Sequence, residues 1–134
     1  MTLVVCLDDG HGMMFNHRRQ SRDRLLIADL LKTIGNSRLF VSPYSAPLFP
    51  PDSAAVLVAD DPCAAAGEGD YAFVEDTDPA AAWHRVSSLI IYRWNRIYPA
   101  DKHFTCDLTG FHLTDASTFE GSSHDTINKE IWKS

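Results

Sequence analysis

The chain has 134 residues, 45% hydrophobic and 22% charged, with 18 acids against 12 Lys and Arg for a net charge of −6. That describes one domain, 1–134, with enough apolar material for its own core, and no stretch approaches the roughly 20 apolar residues of a membrane span. The acidic balance argues against wrapping a long nucleic acid, and three cysteines with no Cys-x-x-Cys or Cys-x-x-His pair argue against a disulfide framework and a structural zinc.

Leu3-Val4-Val5-Cys6-Leu7 is a continuously apolar, β-rich run of the kind buried on both faces of a sheet. No basic stretch precedes it, so the start of the chain reads as a first strand, not a secretory signal, and a cytoplasmic location is expected. Asp8 to Gly12 breaks the strand with turn residues. From Ser21 to Thr33 the period becomes helical, with Leu26, Leu30 and Thr33 on one stripe and Ile27, Leu31 and Ile34 beside it. Ser21 is expected as its N-cap, Asp23 in its first turn and Gly35 just past its end.

Further strands are expected at 38–42, 54–59 and 71–75, separated by Pro43, Pro47, Pro50 and Pro51 and by an acidic Gly/Ala loop at 60–70. Asp78-Pro79 opens a short helix through Val86. Strands at 88–94, 102–108, 111–116 and 126–132 follow on short connections, which favour antiparallel pairing. The fold class is therefore α/β, a single-domain mixed sheet, parallel in its first half with antiparallel C-terminal strands. There is no internal repeat, linker or low-complexity tract.

This order of elements resembles dihydrofolate reductase. LVVCLDDGHGMMFN resembles that family's first strand running into its glycine loop, and SRDRLLIADLL its first helix, which carries a substrate-binding carboxylate near its start; Asp23 is the matching residue. SRLFVSPYS sits where the family enters its cofactor phosphate site. The tail from Leu89 to Trp132 resembles the family's long terminal β-hairpin region. The resemblance implies a dihydrofolate reductase-like fold and, residue by residue, a shortened one. Ser42-Pro43-Tyr44-Ser45 replaces the family's Gly-Arg-x-Thr/Ser phosphate turn, and no Gly-Gly occurs anywhere to cradle a pyrophosphate. Proline has no N–H to donate, and a dinucleotide needs such amides. No nicotinamide cofactor is expected, and none of another kind.

Three constellations could carry chemistry. The first is Asn16 to Arg24, which holds four of the eight arginines: Arg18, Arg19, Arg22 and Arg24. As a solvated charge run it would balance the seven acids of 60–78. Four like charges at the positive end of a helix also cost stability, roughly 0.3–1 kcal/mol each, which a bound anion would relieve. Asn16, Arg18, Arg19, Gln20 and Ser21 thus form an expected anion site with Tyr44 and Ser45 of the neighbouring turn.

The second is Tyr92 to Asp101, where Arg93, Trp94, Asn95 and Arg96 could make a stacking and charge platform for a base. The third is Ser122-Ser123-His124, a turn in which His124 could act as acid or base. No Gly-x-Ser-x-Gly elbow is present to support a serine hydrolase. Asp8, Asp9, His11 and His17 sit in a glycine turn without metal-ligand spacing, so no metal is expected.

The leading expectation is binding of a small anionic or phosphorylated ligand, such as a nucleotide, at the arginine-rich loop and helix N-terminus. The alternatives are an enzyme and an interaction protein. The enzyme would be a reductase using Asp23, or a phosphate-ester hydrolase using His124 with Arg19. In the interaction protein, Arg18–Arg24 would dock on the acidic 60–78 stretch of a second copy to give a homo-oligomer.

Overall fold

The computed structural model describes residues 1–134. Strand β1, Thr2–Leu7, lies in the middle of a seven-stranded sheet. Its alternating side chains feed two separate cores. Leu3, Val5 and Leu7 join one cluster of 16 buried residues, which includes Met13, Met14 and Phe104, and Val4 joins a second cluster of 13 on the opposite face. The continuous apolar run is explained by this burial on both sides.

Along the chain follow β2 (Gly12–Phe15), β3 (Arg18–Arg19), α1 (Arg24–Ile34), β4 (Leu39–Val41), β5 (Val56–Val58), α2 (Pro62–Ala65) and β6 (Tyr71–Phe73). Then come β7 (Ser88–Arg93), β8 (Lys102–His103), β9 (His112–Phe119) and β10 (Ile127–Lys133). The large sheet has the order β5-β4-β6-β1-β7-β10-β9. It is parallel from β5 to β7 and antiparallel where β10 pairs with β7 and β9. The expected α/β mixed sheet is therefore the one present. No helix is long and apolar enough to cross a membrane.

Helix α1 covers the second core with Leu26, Ile27, Leu30 and Ile34, as its periodicity predicts. Its N-cap is Asp23, not Ser21: the Asp23 carboxylate accepts from the amides of Leu25 and Leu26, with φ −151° and ψ 122°. Ser21 lies two residues ahead of that position and points its hydroxyl elsewhere. Gly35 ends the helix at φ 57°, where a side chain would be strained.

Other boundaries shift for physical reasons. Residues 12–19, expected as loop, form the β2–β3 hairpin of a second sheet ordered β3-β2-β8. The expected strand 102–108 keeps only Lys102 and His103, because β2 is short and offers ladder partners to no more. Cys106 therefore lies outside a strand. The helix expected after Pro79 is a 3-10 segment, Ala80–Arg85, and the loop 60–70 contains the short α2 capped by Asp61. All three cysteines are free, and burial pushes the Cys63 thiol up to about 11.

Candidate ligand-binding cleft

Where α1 begins, three distant segments converge on the Asp23 carboxylate. Beyond the two helix amides, it accepts from the amides of Ser122 and Ser123, each at 2.9 Å. It also accepts from the Ser122 hydroxyl at 3.1 Å and faces His124 Nδ1 at 3.0 Å, while the Ser123 hydroxyl donates to the Arg22 carbonyl at 2.7 Å. Gly121 makes the close approach feasible, since a Cβ there would overlap Asp23 Oδ2 and come within 2.9 Å of Ile127. Burial alone would raise the Asp23 pKa. The donated bonds from Ser122, Ser123, His124 and Leu26 outweigh it and hold the carboxyl well below the usual range. Asp23 is thus an ionised, buried hub with its acceptor positions filled by its own chain.

An ionised carboxylate can only accept, so Nδ1 of His124 carries a proton. Two hydroxyls lie within reach of Nε2, Ser21 Oγ at 3.0 Å and Tyr98 Oη at 3.2 Å. Trp94 stacks flat on the imidazole, with ring centroids 4.5 Å apart, which fixes the ring plane. His124 is 5% exposed.

A second hub orders the neighbouring loop. Asp8 accepts from the amides of Gly10, Gly12 and Tyr98 and from Gln20 Nε2. Burial would raise its pKa, and these donors bring it below the ordinary value. Tyr98 is delivered to His124 by this anchor.

Beside the Asp23 hub opens a cleft of about 840 Å³. One wall is the α1 face of Ile27, Ala28 and Leu31, and the other is Leu48, Phe49 and Pro50 of the segment after β4. Ser21, Arg22, Arg24, Ser122 and Ser123 supply polar groups. The guanidiniums of Arg22 and Arg24 are exposed, and neither belongs to an ion pair of the chain. A smaller depression of about 340 Å³ lies on the other side of the loop, lined by Asn16, Arg18, Arg19, Gln20 and Tyr98 among others.

The structure divides the residues that the sequence singled out. Asp23, His124, Ser21, Ser122, Ser123 and Trp94 meet around the hub. Arg19 does not join them: it pairs with Glu75 at 3.1 Å, stacks on Tyr44 at 4.4 Å and donates to the Tyr44 carbonyl. Ser45 donates to the same Glu75 at 2.7 Å. Tyr44 and Ser45 therefore hold Arg19 against the sheet instead of lining the large cleft.

Arg93 pairs with Glu130, Arg96 is exposed, and Asn95 turns at φ 59° and donates to Thr126 and Asn128. With one face of Trp94 taken by His124, these residues build no stacking platform. The helix amides of Arg24, Leu25 and Leu26 are also engaged, by Ser122 Oγ and Asp23. An anion at this end is left to the arginine side chains. Tyr98 and the apolar walls Leu31, Leu48 and Phe49 carried no distinguishing signal in the sequence. Arg22 and Arg24 stood in the arginine run without being separable from Arg18 and Arg19.

A cleft beside the strand ends of an open, mainly parallel sheet is where α/β domains bind small molecules. The particular fold is dihydrofolate reductase-like. Dihydrofolate reductase from Enterococcus faecalis, complexed with NADP(H) and RAB-propyl, superposes over 98% of this chain and 94% of its own, with a TM-score of 0.67. At 9% identity the likeness is one of fold. No family model matches the chain, and no curated protein matches it in sequence.

Proposed function

We propose that the protein binds a small anionic ligand with an apolar body in the cleft between α1 and the segment 48–50. The observation that carries this reading is the pair of unpaired guanidiniums, Arg22 and Arg24, beside an apolar cleft of about 840 Å³. That volume lies within the roughly 300–1,000 Å³ typical of small-molecule sites. An apolar moiety packs on Ile27, Leu31, Leu48 and Phe49, and a phosphate or carboxylate meets the arginines, which suit such groups through bidentate donation. A mononucleotide is the phosphorylated class of fitting size.

The alternative of a reductase that uses Asp23 is weakened by the same geometry, because every acceptor position of that carboxylate is occupied by residues 122–124 and the α1 amides. Titration calorimetry with nucleoside monophosphates, aromatic carboxylates and inorganic phosphate tests the proposal. Binding of the amphipathic anions, lost on replacing Arg22 and Arg24 by alanine, is the expected result. Equal affinity for inorganic phosphate alone would remove the role of the apolar walls, and no binding by any anion would remove the reading.

A further inference from the structure

We infer that Ser21, His124 and Asp23 form a nucleophilic triad that hydrolyses carboxylic esters whose acyl or alcohol part sits in the cleft. The inference rests on the cleft reading for its substrate and on independent geometry for its chemistry. Ser21 Oγ lies 3.0 Å from His124 Nε2, and His124 Nδ1 lies 3.0 Å from Asp23 Oδ2, so nucleophile, base and orienting carboxylate are in hydrogen-bond sequence. The order is recognised by geometry, and the absence of a strand-to-helix elbow does not bear on it, since triads recur on unrelated scaffolds.

Three further observations favour a working base over a structural histidine. Six donors converge on the Asp23 carboxylate, which hold it ionised and so keep a proton on His124 Nδ1. Trp94 fixes the imidazole plane from one face. Ser21 is half-buried and is one of the residues that line the large cleft.

The chemistry balances without a cofactor. Ser21 Oγ adds to the ester carbonyl carbon while its proton passes to His124 Nε2. The C–O bond to the alcohol then breaks, and the alcohol leaves with that proton. Water, giving a proton to Nε2, attacks the acyl-serine. Ser21 departs and takes the proton back, so ester and water become acid and alcohol. Tyr98, 3.2 Å from Nε2, is a positioning residue that can hold the imidazole while the serine is acylated.

The test is labelling of the full chain with a neutral alkyl fluorophosphonate, followed by intact mass and peptide mapping. One adduct per chain at Ser21 is expected. It should be absent in Ser21→Ala, at least tenfold slower in His124→Gln, and unchanged in Ser117→Ala on the exposed β9, with all variants checked by circular dichroism. A folded protein that gains no adduct, or gains it on Ser122 or Ser123, overturns the triad. Burst kinetics with p-nitrophenyl esters, neutral and anionic, separate the two readings. A burst with no preference for anionic esters keeps the triad and overturns the cleft reading, whereas anion binding with neither burst nor adduct overturns the triad alone.

Discussion

Asp23 Oδ2 and His124 Nδ1 meet at 3.0 Å with both side chains out of solvent, tying the cap of α1 to the turn before the last strand across 101 residues. Removing either partner leaves the other buried with this hydrogen bond unmade. A hydrogen bond to a charged group contributes about 1.5–3 kcal/mol. Asp23→Ala and His124→Ala are each expected to lower stability by that order in urea unfolding. Their double variant should cost less than the sum, because they share one interaction.

The same carboxylate makes stability depend on acid. The folded Asp23 has a pKa below its unfolded value of about 3.9. Its contribution is therefore complete above about pH 4 and is lost as pH falls through the folded value. Asp8 and Asp70, also lowered, add to the slope in the same direction. The free energy of unfolding should drop below about pH 4, and Asp23→Asn should flatten that drop. An identical slope in the variant would place the acid sensitivity elsewhere.

Neighbouring arginines should separate cleanly. Arg19→Ala leaves Glu75, 9% exposed at its side chain, with Ser45 as its remaining partner, and should cost about 1–3 kcal/mol. Arg22→Ala and Arg24→Ala break no ion pair and should change stability by less than about 0.5 kcal/mol. They should instead weaken binding of amphipathic anions by about tenfold or more each, the value of a lost charged hydrogen bond. Parallel unfolding and calorimetric titrations of the three variants read both effects.

Gly121→Ala puts a methyl where Asp23 Oδ2 already lies. The Ser122–Ser123 amides would then have to retreat from the carboxylate, at a cost of about 1–3 kcal/mol for such overpacking. Gly110→Ala, with open space around its Cα, should leave the thermal midpoint almost unchanged. A neutral Gly121→Ala would show that the turn can shift without loosening the hub.

Much of the scaffold was legible because it rests on local periodicity: the apolar β1, the striped α1 and the antiparallel tail follow from spacing alone. Asp23, His124 and the serines beside it also carried signals. Their union did not, since it depends on β10 returning antiparallel along β7 and bringing residue 124 to residue 23. The cap moved from Ser21 to Asp23 because hydrogen-bond reach decides it, and both residues are good capping types. Arg19 was indistinguishable from Arg22 until Glu75, 56 positions away, was seen to claim it. The β2–β3 hairpin was hidden because its strands have no alternation to read and pair only with each other and a two-residue partner.

The turn that clasps Asp23 is also a matter of timing. The parallel part of the sheet is complete in sequence by Arg93, and of the cluster under α1 only Trp94, Ile127 and the partly buried Tyr98, Phe119 and Ile131 come later. A growing chain can thus hold most of its core while Asp23 has only the α1 amides for company. Distant contacts close late, because their loop entropy is paid before they return anything. The cleft rim therefore matures only after residues 119–127 have been added, so a chain stalled short of that turn would hold most of its core residues but lack its histidine.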